Sequence, residues 1–528
     1  MASTAALPEF VRALRRKDTY PRPPREIELV QTHISYVFLV DDEVFKVKKP
    51  VDLGFVDFTT LAKRRAACEA EVRLNRRGCA GGVYLGVEPI MRDAEGRYRI
   101  GGAGEVIDYA VHMKRLPEDR MMDRLLEQDA VDFEMIGRLA GRVAQLHAEA
   151  ERNDRITRVG GTATLAKNWR DTLEQVRPFV GQTLSQTRYQ RIEAFANAFM
   201  DSEGELLQRR ESDGRIRDCH GDMRSDSVCF DDTLPDGICI YDCIEFNDAF
   251  RYCDTGLDIA FLAMDLDYRG RPDLSDLLIG LYAPTAGDPE LPLLLNFYKC
   301  YRACVRGKVE SLLSVDEGVP ARQRSRARHR AQAYFCLAAA YARKRLQPGV
   351  FLVSGPSGSG KSVLAGALAA RLGSALLSTD MLRRQLFDER GRAAEMDAGI
   401  YTEESRGRIY AEMLARAQRL AADNRPLVLD ATFIERRQRE PFENLGRESN
   451  RPLLVVECSA PDEVVRARQQ RREGEAWSVS EGRWEVYLAQ KGRLEPADEV
   501  SDAERVAVDT TRDLTEQIEA VEAKLKVG

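Results

Sequence analysis

Two short runs rich in β-branched and aromatic residues, Tyr36-Val-Phe-Leu-Val40 and Val44-Phe-Lys-Val47, flank the acidic stretch Asp41-Asp42-Glu43. That pattern predicts two strands joined by an acidic turn. The spacing becomes helical over 59–77, where charges are dense, and returns to strand over Val106–Met113. Long amphipathic helices are predicted over 129–150 and 186–210, short β-like runs broken by Asp and Gly over 216–246, and mainly helix over 255–345. Residues 1–26, rich in Pro and Arg, are expected to form an irregular arm with one short helix. Gln347-Pro348-Gly349 is a breaker, and beyond it apolar strands are predicted at Val350–Val353, Ala375–Ser378, Pro426–Asp430 and Pro452–Cys458. The organisation expected is an arm over 1–26, one domain over 27–345 and a second over 348–528. The second domain is α/β with a parallel sheet flanked by helices, and the first is α+β.

Composition narrows this picture. A chain of 528 residues with 44% apolar and 31% charged residues reads as globular and of several domains. A net charge of −6 gives no general electrostatic affinity for nucleic acid. No apolar run approaches the roughly 18 residues that span a bilayer, and Met1–Arg16 lacks a signal-peptide core, so a cytoplasmic protein without membrane contact is expected. The basic stretch Arg322–Arg330 is read as the solvated face of a connecting helix. Eleven cysteines without a C-x-x-C pair are read as reduced thiols. Cys219, Cys229, Cys239, Cys243 and Cys253, with His220 among them, suit small buried thiols better than a zinc site.

The candidate chemistry is clearest at Gly355-Pro-Ser357-Gly358-Ser359-Gly360-Lys361-Ser362, set between an apolar strand and the helical segment Val363–Leu372. Strand, glycine-rich loop and helix are the context in which G-x-x-x-x-G-K-[ST] binds phosphate. The glycines let backbone amides converge on phosphate oxygens and the helix N-terminus adds partial positive charge. Lys361 is expected on the β/γ-phosphates and Ser362 on Mg²⁺, with ATP as the nucleotide. Asp380, after Ala375-Leu-Leu-Ser378-Thr, is expected at a strand's C-terminal edge as the base for an attacking hydroxyl, with Arg383 holding an anionic part of the acceptor. Asp430 ends an apolar strand as a Mg²⁺-orienting acid does. Arg466, Arg468, Arg471 and Arg472 form a candidate lid, from which Arg468 and Arg472 are expected to neutralise charge on the transferring phosphoryl group.

Residues 348–500 resemble the P-loop kinases that include polynucleotide 5′-hydroxyl kinases, gluconate-type kinases and zeta toxins. The resemblance rests on Gly355–Ser362, Ser378-Thr-Asp380 with Arg383, Asp430-Ala-Thr432, and Arg468 through Ser480-Glu481 to Gln490. It implies the base role for Asp380 and a substrate-phosphate role for Arg383.

A second constellation is Cys219-His220-Gly221-Asp222 followed by Ile240-Tyr241-Asp242, with spacing that suits a catalytic loop and a metal-binding acid. Residues 27–310 resemble the aminoglycoside phosphotransferase and protein-kinase-like superfamily, which implies a bilobal fold. On that resemblance Asp222 is the base, Asp242 binds Mg²⁺, Lys46 meets the nucleotide phosphates and Glu71 is its ion-pair partner. Met113-Lys-Arg-Leu contacts adenine, and Glu245-Phe-Asn-Asp buttresses the loop. The family carries Asn five residues after the catalytic Asp, and here Ser227 stands there, a weaker metal ligand. The two halves together resemble a bacterial fusion of an aminoglycoside-phosphotransferase-like domain with a zeta-toxin-like kinase, through Lys46-Val-Lys-Lys-Pro-Val, Asn75-Arg76-Arg77 and Val83-Tyr-Leu-Gly86 among others. The expectation is an ATP-dependent phosphotransferase acting on a hydroxyl of a small metabolite, sugar or nucleotide. One alternative is a nucleotide-gated regulator whose N-terminal half binds ligand without efficient catalysis. The other is a polynucleotide 5′-hydroxyl kinase.

Overall fold

A computed structural model describes residues 7–54, 56–342, 349–386, 403–472 and 484–525. The chain divides into two compact units. One comprises 1–132, 149–265 and 301–339, and the other 133–148, 266–300 and 340–528.

The first unit opens with six antiparallel strands: β1 (Ile27–Gln31), β2 (Ser35–Val40), β3 (Glu43–Lys48), β4 (Tyr84–Arg92), β5 (Tyr98–Ile100) and β6 (Glu105–Lys114), in the order β1-β2-β3-β6-β4-β5. Val40 pairs with Glu43, so Asp41 and Asp42 are the two residues of a tight turn. Asp41 takes φ 51°, and its carboxylate accepts the amides of Arg25 and Glu26. Alternation along β3 sends Phe45 and Val47 to one face, where they pack with Val11, Leu14, Tyr20 and Phe38. The N-terminal arm therefore contributes core residues as well as its short helix Glu9–Ala13. Val44 packs on the other face with Cys68 and Val72 of the helix Leu61–Asn75. Lys46 and Lys48 share that face by the same alternation, and this delivers two ammonium groups to the helix. The helix begins where the Thr60 hydroxyl accepts the Lys63 amide.

Two short antiparallel pairs follow: β7 (Ile216–Asp218) with β10 (Tyr252–Asp254), and β8 (Val228–Phe230) with β9 (Ile238–Ile240). The helix expected over 186–210 is instead two, Gln186–Ser202 and Gly204–Ser212, broken at Glu203 with φ −113° and ψ 13°. The cysteines depart from expectation at one pair. Cys79 and Cys239 form a disulfide across 160 residues of sequence, next to the bond from the Ile240 amide to the Gly78 carbonyl. No C-x-x-C spacing could signal a pair that β9 brings together from so far away. Cys229 and Cys243 remain buried thiols pushed up by burial to about 12, which disfavours the thiolate a zinc ion requires.

The second unit is built on five parallel strands: β11 (Val350–Ser354), β12 (Ala375–Ser378), β13 (Leu427–Asp430), β14 (Leu453–Ser459) and β15 (Arg505–Asp509), in the order β12-β13-β11-β14-β15. Phe351 and Val353 of β11 pack with Leu364, Leu368 and Leu372 of the helix Lys361–Leu372 and with Ile518 and Val521 of the helix Leu514–Leu525. The helix Pro272–Thr285 crosses the helix Lys361–Leu372 so closely that a Cβ on Gly366 would lie 2.4 Å from the Gly280 carbonyl oxygen. Among the described residues no helix is long and apolar enough to cross a membrane.

Candidate active site

The central strand β11 runs into the loop 355–360, and the helix after it begins at Lys361. Gly355, Gly358 and Gly360 take φ of 145°, 83° and 89°. A Cβ at Gly355 would lie 2.6 Å from the Cys458 carbonyl oxygen, and one at Gly360 would lie 2.9 Å from Thr510. Both left-handed conformation and close approach thus demand glycine. The Ser357 amide donates to Gln490 Oε1 (2.7 Å) and the Ser359 amide to the Pro356 carbonyl (3.1 Å). Those amides are engaged within the protein. The Lys361 and Ser362 amides open the helix and have no intrahelical acceptor, a placement that suits an anion.

Asp430, at the end of β13, is buried. Its Oδ2 accepts from the Ser378 hydroxyl (3.1 Å), and Ser362 lies beside the same carboxylate. Burial pushes the Asp430 carboxyl up, Lys361 opposes that, and Asp380 adds to it. Oδ1 of Asp430 has no hydrogen-bond partner. An orphaned buried carboxylate oxygen beside a serine hydroxyl is a donor set that suits Mg²⁺ or its water shell. Asp380 sits two residues past the end of β12, not on the strand edge expected for it, in the first turn of the helix Thr379–Leu386, and its Oδ1 accepts from Arg383 Nη1 at 2.6 Å. Asp380 and Arg383 therefore meet each other as well as the end of the sheet.

Arg468, in the helix Asp462–Arg472, donates to Thr510 Oγ1 (3.0 Å) and the Thr510 carbonyl (2.6 Å), and the Thr510 hydroxyl bonds the Ser359 carbonyl (2.6 Å). Arg468 thus braces the outer wall of the loop. Arg466 lies over the Trp484 ring. The side chains of Arg471 and Arg472, and residues Ser480 and Glu481, lie outside the described residues. Thr510 and Gln469, whose Nε2 donates to the Ser357 carbonyl, were not singled out from sequence. Each lies more than a hundred residues from the loop, and no spacing pattern connects them.

The first unit holds a second cluster. Lys46 Nζ lies 2.9 Å from Glu71 Oε1 and 2.7 Å from Asp242 Oδ1. Lys48, fully buried, bonds the other Glu71 oxygen and Glu245. Burial depresses the Lys46 ammonium, but Asp242, Glu71 and Glu245 outweigh it and hold the group well above its ordinary value. Lys46 in turn draws the Asp242 carboxyl down to about 2. The Asp242 side chain remains 58% exposed, so solvent screens that attraction. Asp242 is also one of the few non-glycine residues in left-handed conformation, at φ 63°. Lys48 and Glu245 were missed as an ion pair, although Lys46-Val-Lys48 puts both lysines on one strand face.

The loop at Asp222 is set by buried Asp258, which accepts the amides of His220 (2.9 Å) and Gly221 (2.8 Å). Gly221 is at φ 89°, and a Cβ there would meet the Phe250 carbonyl at 2.9 Å. His220 Nε2 bonds the carbonyl of Tyr241 (2.8 Å), and its Nδ1 accepts the Asp222 amide (3.3 Å). The ring is therefore the Nε2–H tautomer and ties the loop to the residue before Asp242. Asp222 itself faces Arg224, whose Nε is 3.5 Å away.

The family described as an AAA domain (AAA_33) matches residues 350–497, the stretch from β11 across the loop and the candidate lid. "Uncharacterized protein Rv2004c" of Mycobacterium tuberculosis (strain ATCC 25618 / H37Rv) is 32% identical over 451 residues, which cover 85% of this chain and 86% of that protein. The chain belongs to its family. "Uncharacterized protein Mb2027c" of Mycobacterium bovis matches with the same identity and coverage. Among solved structures, a gluconokinase from Sinorhizobium meliloti 1021 covers 35% of this chain and 94% of its own, at 24% identity and a TM-score of 0.27. A choline/ethanolamine kinase family protein from Mesorhizobium loti covers 60% and 92%, at 11% identity and a TM-score of 0.35. Neither score is high enough to carry an argument about fold or substrate.

Proposed function

We propose that this protein is an ATP-dependent phosphotransferase whose main active site is the loop 355–362, and that the acceptor is a hydroxyl of a small metabolite, sugar or nucleotide. The observation that carries the proposal is the meeting of Lys361, Ser362 and Asp430 at the mouth of a glycine-locked loop, with the Asp380–Arg383 pair beside them. The Lys361 and Ser362 amides and the Lys361 ammonium hold the phosphate tail. Ser362 and Asp430 would hold Mg²⁺, which would neutralise phosphate charge. Asp380 accepts the proton of the attacking hydroxyl, and Arg383 releases it to hold an anionic acceptor group. Transfer of label from γ-labelled ATP across a panel of metabolites and oligonucleotides tests the proposal. Lys361→Ala is expected to abolish transfer, and transfer at the wild-type rate by that variant refutes it.

A second reading concerns the first unit. We propose that Lys46, Glu71, Asp242 and the Asp222 loop form a second nucleotide site, with a bilobal kinase-like fold around it. The Lys46 bridge between Glu71 and Asp242 supports this reading, because it presents an ammonium and an exposed carboxylate side by side. Equilibrium binding of a non-hydrolysable ATP analogue tests it. Two molecules per chain are expected, falling to one in Lys46→Ala.

A further inference from the structure

A peptide group is planar and trans, so its C=O and N–H point in opposite directions. A side chain that holds the carbonyl of one residue therefore aims the amide of the next. In the loop 355–360 two carbonyls are held this way. The Ser359 carbonyl accepts from the Thr510 hydroxyl at 2.6 Å. That hydroxyl also has the Ser459 carbonyl within reach, at 3.1 Å, while its oxygen accepts from Arg468 Nη1 at 3.0 Å. Its one proton goes to the nearer carbonyl. Two residues earlier, the Ser357 carbonyl faces Gln469 Nε2 at 3.4 Å. Gln469 is 5% exposed, and only the NH₂ end of its amide can answer a carbonyl.

The peptides oriented in this way are Ser357–Gly358 and Ser359–Gly360. Their N–H groups point away from Gln469, on the helix Asp462–Arg472, and away from Thr510. Among the described residues no acceptor meets the Gly358 or the Gly360 amide. Between them the Ser359 amide turns back to the Pro356 carbonyl. The two glycines also make room for the residues that do the holding. A Cβ on Gly358 would lie 3.1 Å from Gln469 Nε2, and one on Gly360 would lie 2.9 Å from Thr510 Oγ1.

Gln490 completes the arrangement. Its Oε1 accepts the Ser357 amide at 2.7 Å, so Ser357 is held at both its N–H and its C=O. Gln490 is itself fixed, because Tyr487 and Lys491 of the same helix both donate to Asp462 Oδ1 at 2.6 Å. Asp462 opens the helix that carries Gln469, so one carboxylate steadies both glutamines.

We infer that Thr510, Gln469 and Gln490 are positioning residues that aim the Gly358 and Gly360 amides at the phosphate tail, beside those of Lys361 and Ser362. The outer wall of the loop sets its shape, and the anion meets amides that are already oriented, which spares it the cost of ordering them. The inference rests on the phosphate-binding role proposed above for this loop and adds the residues outside the loop that set its affinity.

The test is equilibrium binding of ATP and of inorganic tripolyphosphate to the full chain, scored as the binding that Lys361→Ala removes. Thr510→Val keeps the side-chain shape and loses the hydroxyl. It should weaken both ligands by about tenfold or more, the scale of one hydrogen bond to a charged group. Thr510→Ser should restore the affinity, and Gln469→Met and Gln490→Met should weaken both ligands as Thr510→Val does. In turnover the loss should fall on the KM for ATP and leave the KM for the acceptor unchanged. Wild-type affinity in Thr510→Val and Gln469→Met overturns the inference. A loss in Thr510→Val that Thr510→Ser does not recover also overturns it, because packing and not the hydroxyl would then matter. So does a loss for ATP with none for tripolyphosphate, because these residues would then hold the nucleoside. If wild type shows no Lys361-dependent binding of either ligand, the phosphate role of the loop falls first and the inference with it. Melting curves separate a misaimed loop from an unfolded chain, and Gln469→Met carries the test if Thr510→Val does not fold.

Discussion

Replacing Gly366 by Ala tests whether the helix that opens with Lys361 is seated by direct backbone contact. A Cβ at that position would lie 2.4 Å from the Gly280 carbonyl oxygen and 2.6 Å from the Gly280 Cα, whereas ordinary contact begins at 3.4 Å. The helices Pro272–Thr285 and Lys361–Leu372 must part by about 1 Å, the shortfall in that contact, or bend. Overpacking of this kind costs about 1–3 kcal/mol. The same substitution gains about 1 kcal/mol of helix propensity, which would mask part of the cost. Gly407 supplies the correction. It lies inside the helix Glu403–Ala422, and a Cβ there meets nothing within 4 Å. Gly407→Ala should therefore stabilise, and Gly366→Ala should fall below it by about 1–3 kcal/mol. Thermal unfolding of the full chain reads this as roughly 2–4 °C per kcal/mol for a unit of this size. The displaced helix carries Lys361 and Ser362, so ATP affinity should fall in Gly366→Ala and not in Gly407→Ala. Gly280→Ala should repeat the loss, and the double variant should cost less than the sum, because both methyl groups open one gap. If Gly366→Ala stabilises as much as Gly407→Ala, the crossing is not backbone to backbone and the reasoning fails.

Lys48→Met should destabilise the first unit by about 3–5 kcal/mol, because Glu71 and Glu245 lose a shared buried cation; a melting temperature within 1 °C of wild type would contradict this. Asp276, buried near Lys299, Asp267, Arg371 and Glu522, has its carboxyl raised by burial to about 7. The folded chain then binds the extra proton, so this group's stabilisation is complete below pH 3.8 and is lost as pH rises to about 7, on the order of 4 kcal/mol in all. The urea midpoint of Asp276→Asn relative to wild type should therefore climb between pH 5 and pH 8, and a constant difference would refute the assignment. With eleven cysteines and one disulfide, the denatured, unreduced chain should take up nine alkylating groups by intact mass and the reduced chain eleven; eleven in both samples would exclude the Cys79–Cys239 bond.

The features legible in the sequence share one property: the residues that make them are close in the chain. The loop 355–362 could be read because strand, glycines, lysine and helix are consecutive, and its backbone takes the left-handed angles those glycines permit. The hairpin at Asp41-Asp42 and the helix Leu61–Asn75 were visible in the same way, as changes of hydrophobic period. The failures are of the opposite kind. The Glu203 break interrupts an amphipathic pattern that continues on both sides of it, so periodicity alone predicts one helix. The Cys79–Cys239 bond, the Thr510 and Gln490 contacts with the loop, and the Lys48–Glu245 pair join residues between 133 and 197 positions apart. Arg224 stood two residues from Asp222 and was still missed, because nothing in composition tells a surface arginine from one turned back onto the acids beside it.

The two clusters present positive charge by different means, and this decides which residues can be probed without loss of fold. In the loop 355–362 the charge is largely that of backbone amides held by glycine geometry, so substitutions at Gly355 or Gly360 act on shape before they act on electrostatics. In the first unit it is carried by side chains that share Glu71. One Glu71 oxygen serves Lys46 and the other serves buried Lys48. Removing Lys46 leaves Glu71 still bonded to Lys48, which it shares with Glu245, and leaves Asp242 facing water, where a carboxylate is at little cost. Removing Lys48 leaves buried Glu245 without its cation and buried Glu71 with Lys46 alone, and neither carboxylate has such an outlet. A buried ion pair is rarely the cheapest way to hold a fold together. Its presence behind Lys46 makes sense if it fixes Glu71, and through Glu71 the ammonium, at a set distance from Asp242. Lys46→Ala is therefore the substitution that reports on ligand binding, and Lys48→Met the one that reports on the scaffold. A protein in which both substitutions lost binding and stability in equal measure would have no such division of labour.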